Sequence, residues 1–148
     1  MPLPDLTATG DLPSGVHTAS LAETIRRFGV GSHRRKLLAG RLERIYQIAV
    51  QTGHLARFVI FGSFVTGKHE PNDVDIFMIM DDNFDMTSLV GEARFLFYHG
   101  TAQDHFGCSV FWVRRLEAIG GEEAAIRHWQ IKRDGAERGI VEIAGERS

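Results

Sequence analysis

Residues 61–76 read Phe-Gly-Ser-Phe-Val-Thr-Gly-Lys-His-Glu-Pro-Asn-Asp-Val-Asp-Ile. Gly62 and Ser63 close one apolar run, Arg57 to Phe61, and nine residues further on Asp73 and Asp75 stand two apart at the head of another, Ile76 to Met80. Side chains alternate along a strand, so two aspartates at this spacing point to one side. Neighbouring carboxylates repel unless a positive charge lies between them, and a divalent cation with hard oxygen ligands is the ordinary solution. Gly62 lets backbone approach a ligand closely, and Ser63 offers a hydroxyl and an amide at the start of a short helix, a favourable place for phosphate.

These groups need strands to hold them, and the surrounding pattern supplies them. Arg57–Phe61 predicts the first strand of the site, Ser63 to about Gly67 a short helix, and 73–80 a second strand, apolar on both faces from Ile76 and therefore interior. Upstream, Ser20 with Glu23 forms a capping box for a helix over 21–28, and Ser32 caps another whose Leu38, Leu42, Ile45, Tyr46 and Ala49 share one face before Gly53 closes it. Downstream, 85–99 carries a helical signal, Gly107 introduces a third strand over Cys108–Val113, Glu122–Gln130 reads as helix, and Asp134-Gly135 turns the chain into a last strand over Gly139–Ile143. Residues 1–17 hold three of the four prolines and show no periodicity, which predicts a flexible N-terminal arm ahead of a single domain over 18–148.

Composition removes several function classes. With 43% hydrophobic and 24% charged residues, the 148-residue chain reads as an ordinary globular domain. Its net charge of −2 gives no field that would draw it to nucleic acid or an anionic membrane. No stretch has the length of a membrane span, Met1–Gly15 lacks the pattern of a signal peptide, and Cys108 is alone, so a cytoplasmic protein with a buried reduced thiol is expected.

The spacing Gly-Ser, nine residues, Asp-hydrophobic-Asp resembles the signature of the DNA polymerase β-like nucleotidyltransferases, over a core motif at 58–80. Within that superfamily the chain is similar to the small single-domain kind, the minimal nucleotidyltransferases. A looser similarity runs from about Ser20 to the Arg-Gly-Ile-Val-Glu-Ile at 138–143. The resemblance implies an α+β (mixed α/β) fold with a short central mixed sheet flanked by helices, although the element pattern alone also allows other α/β or α+β layers. It further implies that Asp73 and Asp75 bind Mg²⁺ or Mn²⁺, that Gly62 and Ser63 hold the β- and γ-phosphates of a nucleoside triphosphate such as ATP, and that an acceptor hydroxyl attacks the α-phosphorus. Lys68, between the halves of the motif, offers a point charge to the triphosphate, or is simply solvated.

Active relatives carry a third carboxylate on the next strand, and alignment of the run Phe106–Val113 puts Ser109 there. A serine hydroxyl is a poor Mg²⁺ ligand and no base at neutral pH. Asp81 shares parity with Asp75 but lies about 20 Å along an extended strand, whereas Asp104 can fold back across Gly107 and is the candidate replacement acid. Two readings follow: a Mg²⁺-dependent enzyme moving a nucleoside monophosphate onto a protein or small-molecule hydroxyl, antitoxin-like in the manner of some minimal relatives, or a catalytically reduced fold that binds a nucleotide or a protein partner. A structural domain with an incidental aspartate pair is the third. The other polar candidates read as bland: His69 and His105 as surface histidines within reach of the site, Arg34-Arg35-Lys36 and Arg114-Arg115 as solvated clusters, Trp112 and Trp129 as core.

Overall fold

A computed structural model describes residues 2–144. Its elements are β1 (Val16–Ala19), α1 (Leu21–Phe28), α2 (His33–Gln51), β2 (Leu55–Phe61), β3 (Asp75–Met80), α3 (His99–Phe106), β4 (Ser109–Arg114), α4 (Glu122–His128) and β5 (Ile140–Ile143), with short 3₁₀ turns between. The strands form one five-stranded sheet in the order β1-β5-β2-β3-β4. β2 runs antiparallel to β3 and β5, while β3–β4 and β1–β5 are parallel. The fold is therefore the expected α+β class with a mixed central sheet. Among the described residues no helix is long and apolar enough to cross a membrane.

Alternation assigns the two faces of the sheet. Phe58, Ile60, Ile76, Met78, Val110, Val141 and Ile143 pack with Leu38, Leu42, Ile45 and Ala49 of α2 in the larger core. Val59, Phe77, Ile79 and Ile140 point the other way, onto Ile126 of α4. β3 is buried from Ile76 to Met80, as its doubly apolar pattern requires.

Three segments differ from expectation. Residues 2–15, read as a flexible arm, lie against the domain: Leu3 and Leu12 are buried, Arg27 donates to the carbonyls of Leu3 and Pro4, and the Gly139 amide donates to Leu12. Val16–Ala19 then joins the sheet beside β5. The helical signal over 85–99 resolves into 3₁₀ turns at Met86–Ser88 and Gly91–Phe95, and the helix itself comes later, at His99–Phe106. It buries only Ala102 and Phe106 and ends at Gly107 with φ +67°, so two anchors and a left-handed stop set it rather than an apolar stripe. The capping box at Ser20 is half built: Ser20 accepts from the Glu23 amide, but the Glu23 carboxylate accepts from the Leu3 amide.

Arg35, read as part of a solvated basic cluster, is buried. Its guanidinium donates to the carbonyls of Phe28, Phe64, Thr66 and Lys68, so all the donors are occupied without a carboxylate. Burial without an anionic partner lowers its pKa from the usual value. These bonds fix the loop that follows Gly62-Ser63. Replacing Arg35 with Lys removes the planar fork and strands several carbonyls, each costing about 1–3 kcal/mol when unsatisfied and buried. Arg35→Lys is expected to destabilise the domain by about 3 kcal/mol or more, read from urea unfolding, while Lys36→Arg beside it stays near wild type. An Arg35→Lys protein as stable as wild type would refute the clamp.

Candidate functional site

The register of three strands builds the site. Phe61 pairs with Asp75 on β3, and Asp75 pairs with Ser109 on β4, so these residues form one row across the sheet on the α4 face. Asp73 lies two residues before Asp75, outside the strand, and the Ser109 amide donates to the Val74 carbonyl between them at 3.1 Å. The Ser109 hydroxyl donates to Asp73 Oδ2 at 2.9 Å. Both carboxylates thus meet at the edge where β2 ends and β3 and β4 begin.

Gly62 follows β2 with φ 80° and ψ −166°, a region open essentially to glycine alone. Its second constraint is contact, because a methyl built there would overlap Asp75 Oδ2. The expected approach of Gly62 to Asp75 is therefore present, with Asp73 beside Asp75. Ser63 opens the 3₁₀ turn Ser63–Val65, shorter than the helix expected to Gly67. With Lys68 it lines a concavity of about 460 Å³. A second concavity, about 430 Å³, is lined by Asp75, Ser109, Phe61, Phe111, Trp129 and His99 among others. Lys132 and Arg138 border both. Another of about 510 Å³ lies at the opposite end of β2, around Tyr46, Val50 and Leu55, away from the carboxylates.

Burial lifts the Asp75 carboxyl from 3.8 to about 7, the charge of Asp73 and a hydrogen bond shared with it push the same way, and the Ser109 hydroxyl and the charge of Arg138 pull it back. Among the described residues no group of three or more His, Cys, Asp and Glu side chains is placed to hold a metal ion.

The other sequence candidates fall elsewhere. Asp104 is exposed on α3, and the α3 side chain that reaches Ser109 is Gln103, its Oε1 accepting from the hydroxyl at 3.4 Å. Asp81, at the far end of β3, pairs with His54 at 2.9 Å. His105 pairs with Glu92 and His69 borders a separate concavity; the histidines at the site are His99 and His128. Trp112 sits against Phe84 and Phe97 with its indole donating to the Phe97 carbonyl. Trp129 is half core and half wall, stacked on Phe61 at 4.4 Å. Arg114 and Arg115 are taken by Glu117 and Glu122. Burial pushes the Cys108 thiol up to about 11, which leaves it protonated and inert at neutral pH.

A family model described as a family of unknown function (DUF6932) matches residues 4–144, and the chain belongs to that family. No curated protein and no solved structure matches it.

Two predictions follow from the carboxylate pair and its glycine. A carboxyl whose folded pKa is raised binds its proton more tightly in the folded state, so its stabilisation is full below about pH 4 and is lost as pH rises through about 7. In EDTA, wild-type stability minus that of Asp75→Asn is expected to fall between pH 5 and 8; a difference that rises over this range would refute the raised Asp75 carboxyl. Gly62→Ala is expected to lower stability by about 2 kcal/mol or more through backbone strain alone and to displace Asp75, seen as a shift of its side-chain carboxyl resonance.

Proposed function

We propose that this family member is a Mg²⁺-dependent nucleotidyltransferase that moves a nucleoside monophosphate from a triphosphate, ATP being the expected donor, onto a hydroxyl of a protein or small molecule. The observation that carries the reading is the contact of Gly62 with Asp75, beside Asp73 and ahead of Ser63. Sequence spacing and spatial contact both bring this turn against the paired carboxylates, which supports the reading. The donor set fits Mg²⁺, which is commonly held by one or two carboxylates with phosphate oxygens completing the shell. Bound there, the ion supplies charge neutralisation of the phosphates.

The chain's own groups do the rest. Asp73 and Asp75 would hold the ion, with Asp75 losing its proton to do so. Gly62, with no side chain, leaves its side-chain space to Asp75 and so brings the turn against the carboxylate, and Ser63 and Lys68 line the adjoining concavity, where the β- and γ-phosphates would extend. Phe61, Phe111 and Trp129 give an apolar wall beside Asp75, suited to the face of a base. A partner protein as acceptor, antitoxin-like, follows from the resemblance to minimal nucleotidyltransferases.

Ser109 favours a second reading, a catalytically reduced fold that binds the nucleotide without transferring it. Its hydroxyl is spent on Asp73, and Asp104 is exposed and forms no hydrogen bond or ion pair among the described residues. Among the described residues no third carboxylate therefore joins the pair.

Titration calorimetry with ATP, with and without Mg²⁺, joined to transfer from α-phosphate-labelled ATP, separates these readings. Binding is expected to require Mg²⁺ and to weaken by roughly tenfold or more, about 1.4 kcal/mol, in Asp73→Asn and Asp75→Asn. Ser109→Asp is expected to tighten Mg²⁺ binding and raise transfer. Binding with no transfer in either protein selects the reduced fold, and Mg²⁺-dependent ATP binding unchanged in Asp75→Asn sinks both.

A further inference from the structure

The two concavities share a wall made by one small turn. Ile131 and Glu137 form an antiparallel bridge, the Lys132 amide donates to the Ala136 carbonyl at 2.8 Å, and Asp134 caps the turn through the Ala136 amide. This closure sets Lys132, before the turn, near Arg138, after it. Between them lies Asp11 from the N-terminal segment: its oxygens are 3.8 Å from Lys132 Nζ and 3.6 Å from Arg138 Nη1. All three side chains are sheltered, at 15% exposure for Asp11, 32% for Lys132 and 23% for Arg138. Both distances are longer than a hydrogen bond, so the carboxylate is held by charge without directed bonds to either cation.

The segment that brings Asp11 here is fastened on both sides. Asp11 bridges Thr66, the Gly67 amide donates to the Gly10 carbonyl, and the Gly139 amide donates to Leu12. Two residues beyond Leu12, the side chain of buried Gln130 accepts from the Ser14 hydroxyl and the Gly15 amide. Backbone pairing fixes where Asp11 sits, while among the described residues its side chain has only a Thr9 hydroxyl at 3.1 Å as a close partner. Lys68 and Ser63 line the same concavity, and the charge of Arg138 is felt at Asp75 across the shared wall.

We infer that Lys132 and Arg138 are a grip for the polyphosphate of the ligand and that Asp11 is its resident counter-ion, which swings aside when the anion arrives. The anion's identity rests on the nucleotide reading above, while the grip itself rests on the three side chains. A phosphate oxygen offers both cations short charge-assisted bonds in place of contacts at 3.6 and 3.8 Å. The carboxylate lowers affinity for every anion, and this discriminates: inorganic phosphate has too few oxygens to span the grip, while a triphosphate reaches Lys68 and the carboxylate-bound ion as well. Asp11 thus acts as a threshold on occupancy, built into the segment that also contributes the edge strand β1.

The test uses the full chain in EDTA with inorganic tripolyphosphate as probe, titrated by calorimetry, so that neither metal nor base takes part. Asp11→Asn is expected to bind tripolyphosphate about twofold to fivefold more tightly than wild type, and Lys132→Met and Arg138→Gln about tenfold more weakly. Raising salt from about 0.05 to 0.5 M should erase most of the difference. Lys132→Met, the more exposed of the two cations at 32% against 23%, reports even if Arg138→Gln fails to fold. Asp11→Asn binding equally or more weakly overturns the counter-ion role, and Lys132→Met binding as wild type overturns the grip. The outcome is separable from the proposed function. Tripolyphosphate behaving as expected while ATP transfer stays absent leaves the grip standing. Mg²⁺-dependent ATP binding through Asp75, with Lys132 and Arg138 indifferent to tripolyphosphate, removes the grip and leaves the nucleotide reading intact.

Discussion

A buried cation without a counter-anion organises this domain. Arg35 reaches from the first turn of α2 into four backbone carbonyls, three of them in the loop 64–68. A loop this close to the carboxylate pair must hide its backbone without pairing it in a sheet, and its carbonyls need donors. One guanidinium supplies them together, in a rigid planar array that no other side chain offers. The Gly62-Ser63 turn is consequently held between two fixed points, the end of β2 on one side and α2 on the other. That places Gly62 flat against Asp75, and the site's geometry inherits its precision from this clamp.

The carboxylate pair shows the opposite economy. Asp73 and Asp75 are left without a full counter-charge: the Ser109 hydroxyl and the distant field of Arg138 offset only part of the burial and repulsion. Unfavourable electrostatics are concentrated at this one point, in a domain whose other buried polar groups find partners among the described residues. The aromatic wall of Phe61, Phe111 and Trp129 contributes to that burial while staying open on one side, with Phe111 37% exposed.

How much of this the sequence discloses depends on how local each cause is. The α1 and α2 boundaries, β2, β3 and β4, and the meeting of Gly62 with Asp73 and Asp75 were legible because caps, period-two alternation and a short spacing act within about twenty residues. The strand β1 was not, since Val16–Ala19 alternates poorly and exists by pairing with Ile140–Ile143. Arg35 looked like a surface charge because nothing in Arg-Arg-Lys distinguishes the residue whose neighbours are carbonyls. α3 escaped because its sequence His-Gly-Thr-Ala-Gln-Asp-His-Phe has weak propensity and two anchors. Asp11, Lys132 and Arg138 come from the two ends of the described chain, and their one local sign, the Asp134-Gly135 turn, says nothing of the charges it brings together. His99 and His128, at the site, carry no spacing signal at all.

The pairing of β1 with β5 ties residue 16 to residue 140 in a parallel ladder. No hairpin can form such a ladder, so its entropy of closure must be met across nearly the whole chain before any contact rewards it. The carboxylates and the Gly62 turn belong to the β2–β3 hairpin and can come together early. The basic turn and the segment bearing Asp11 reach them only when that last ladder zips. Folding order therefore splits the site in time: a half that gathers negative charge forms from local structure, and a half that supplies positive charge arrives with closure of the sheet. A chain cut between β4 and Lys132 would carry the paired aspartates without the basic residues opposite them.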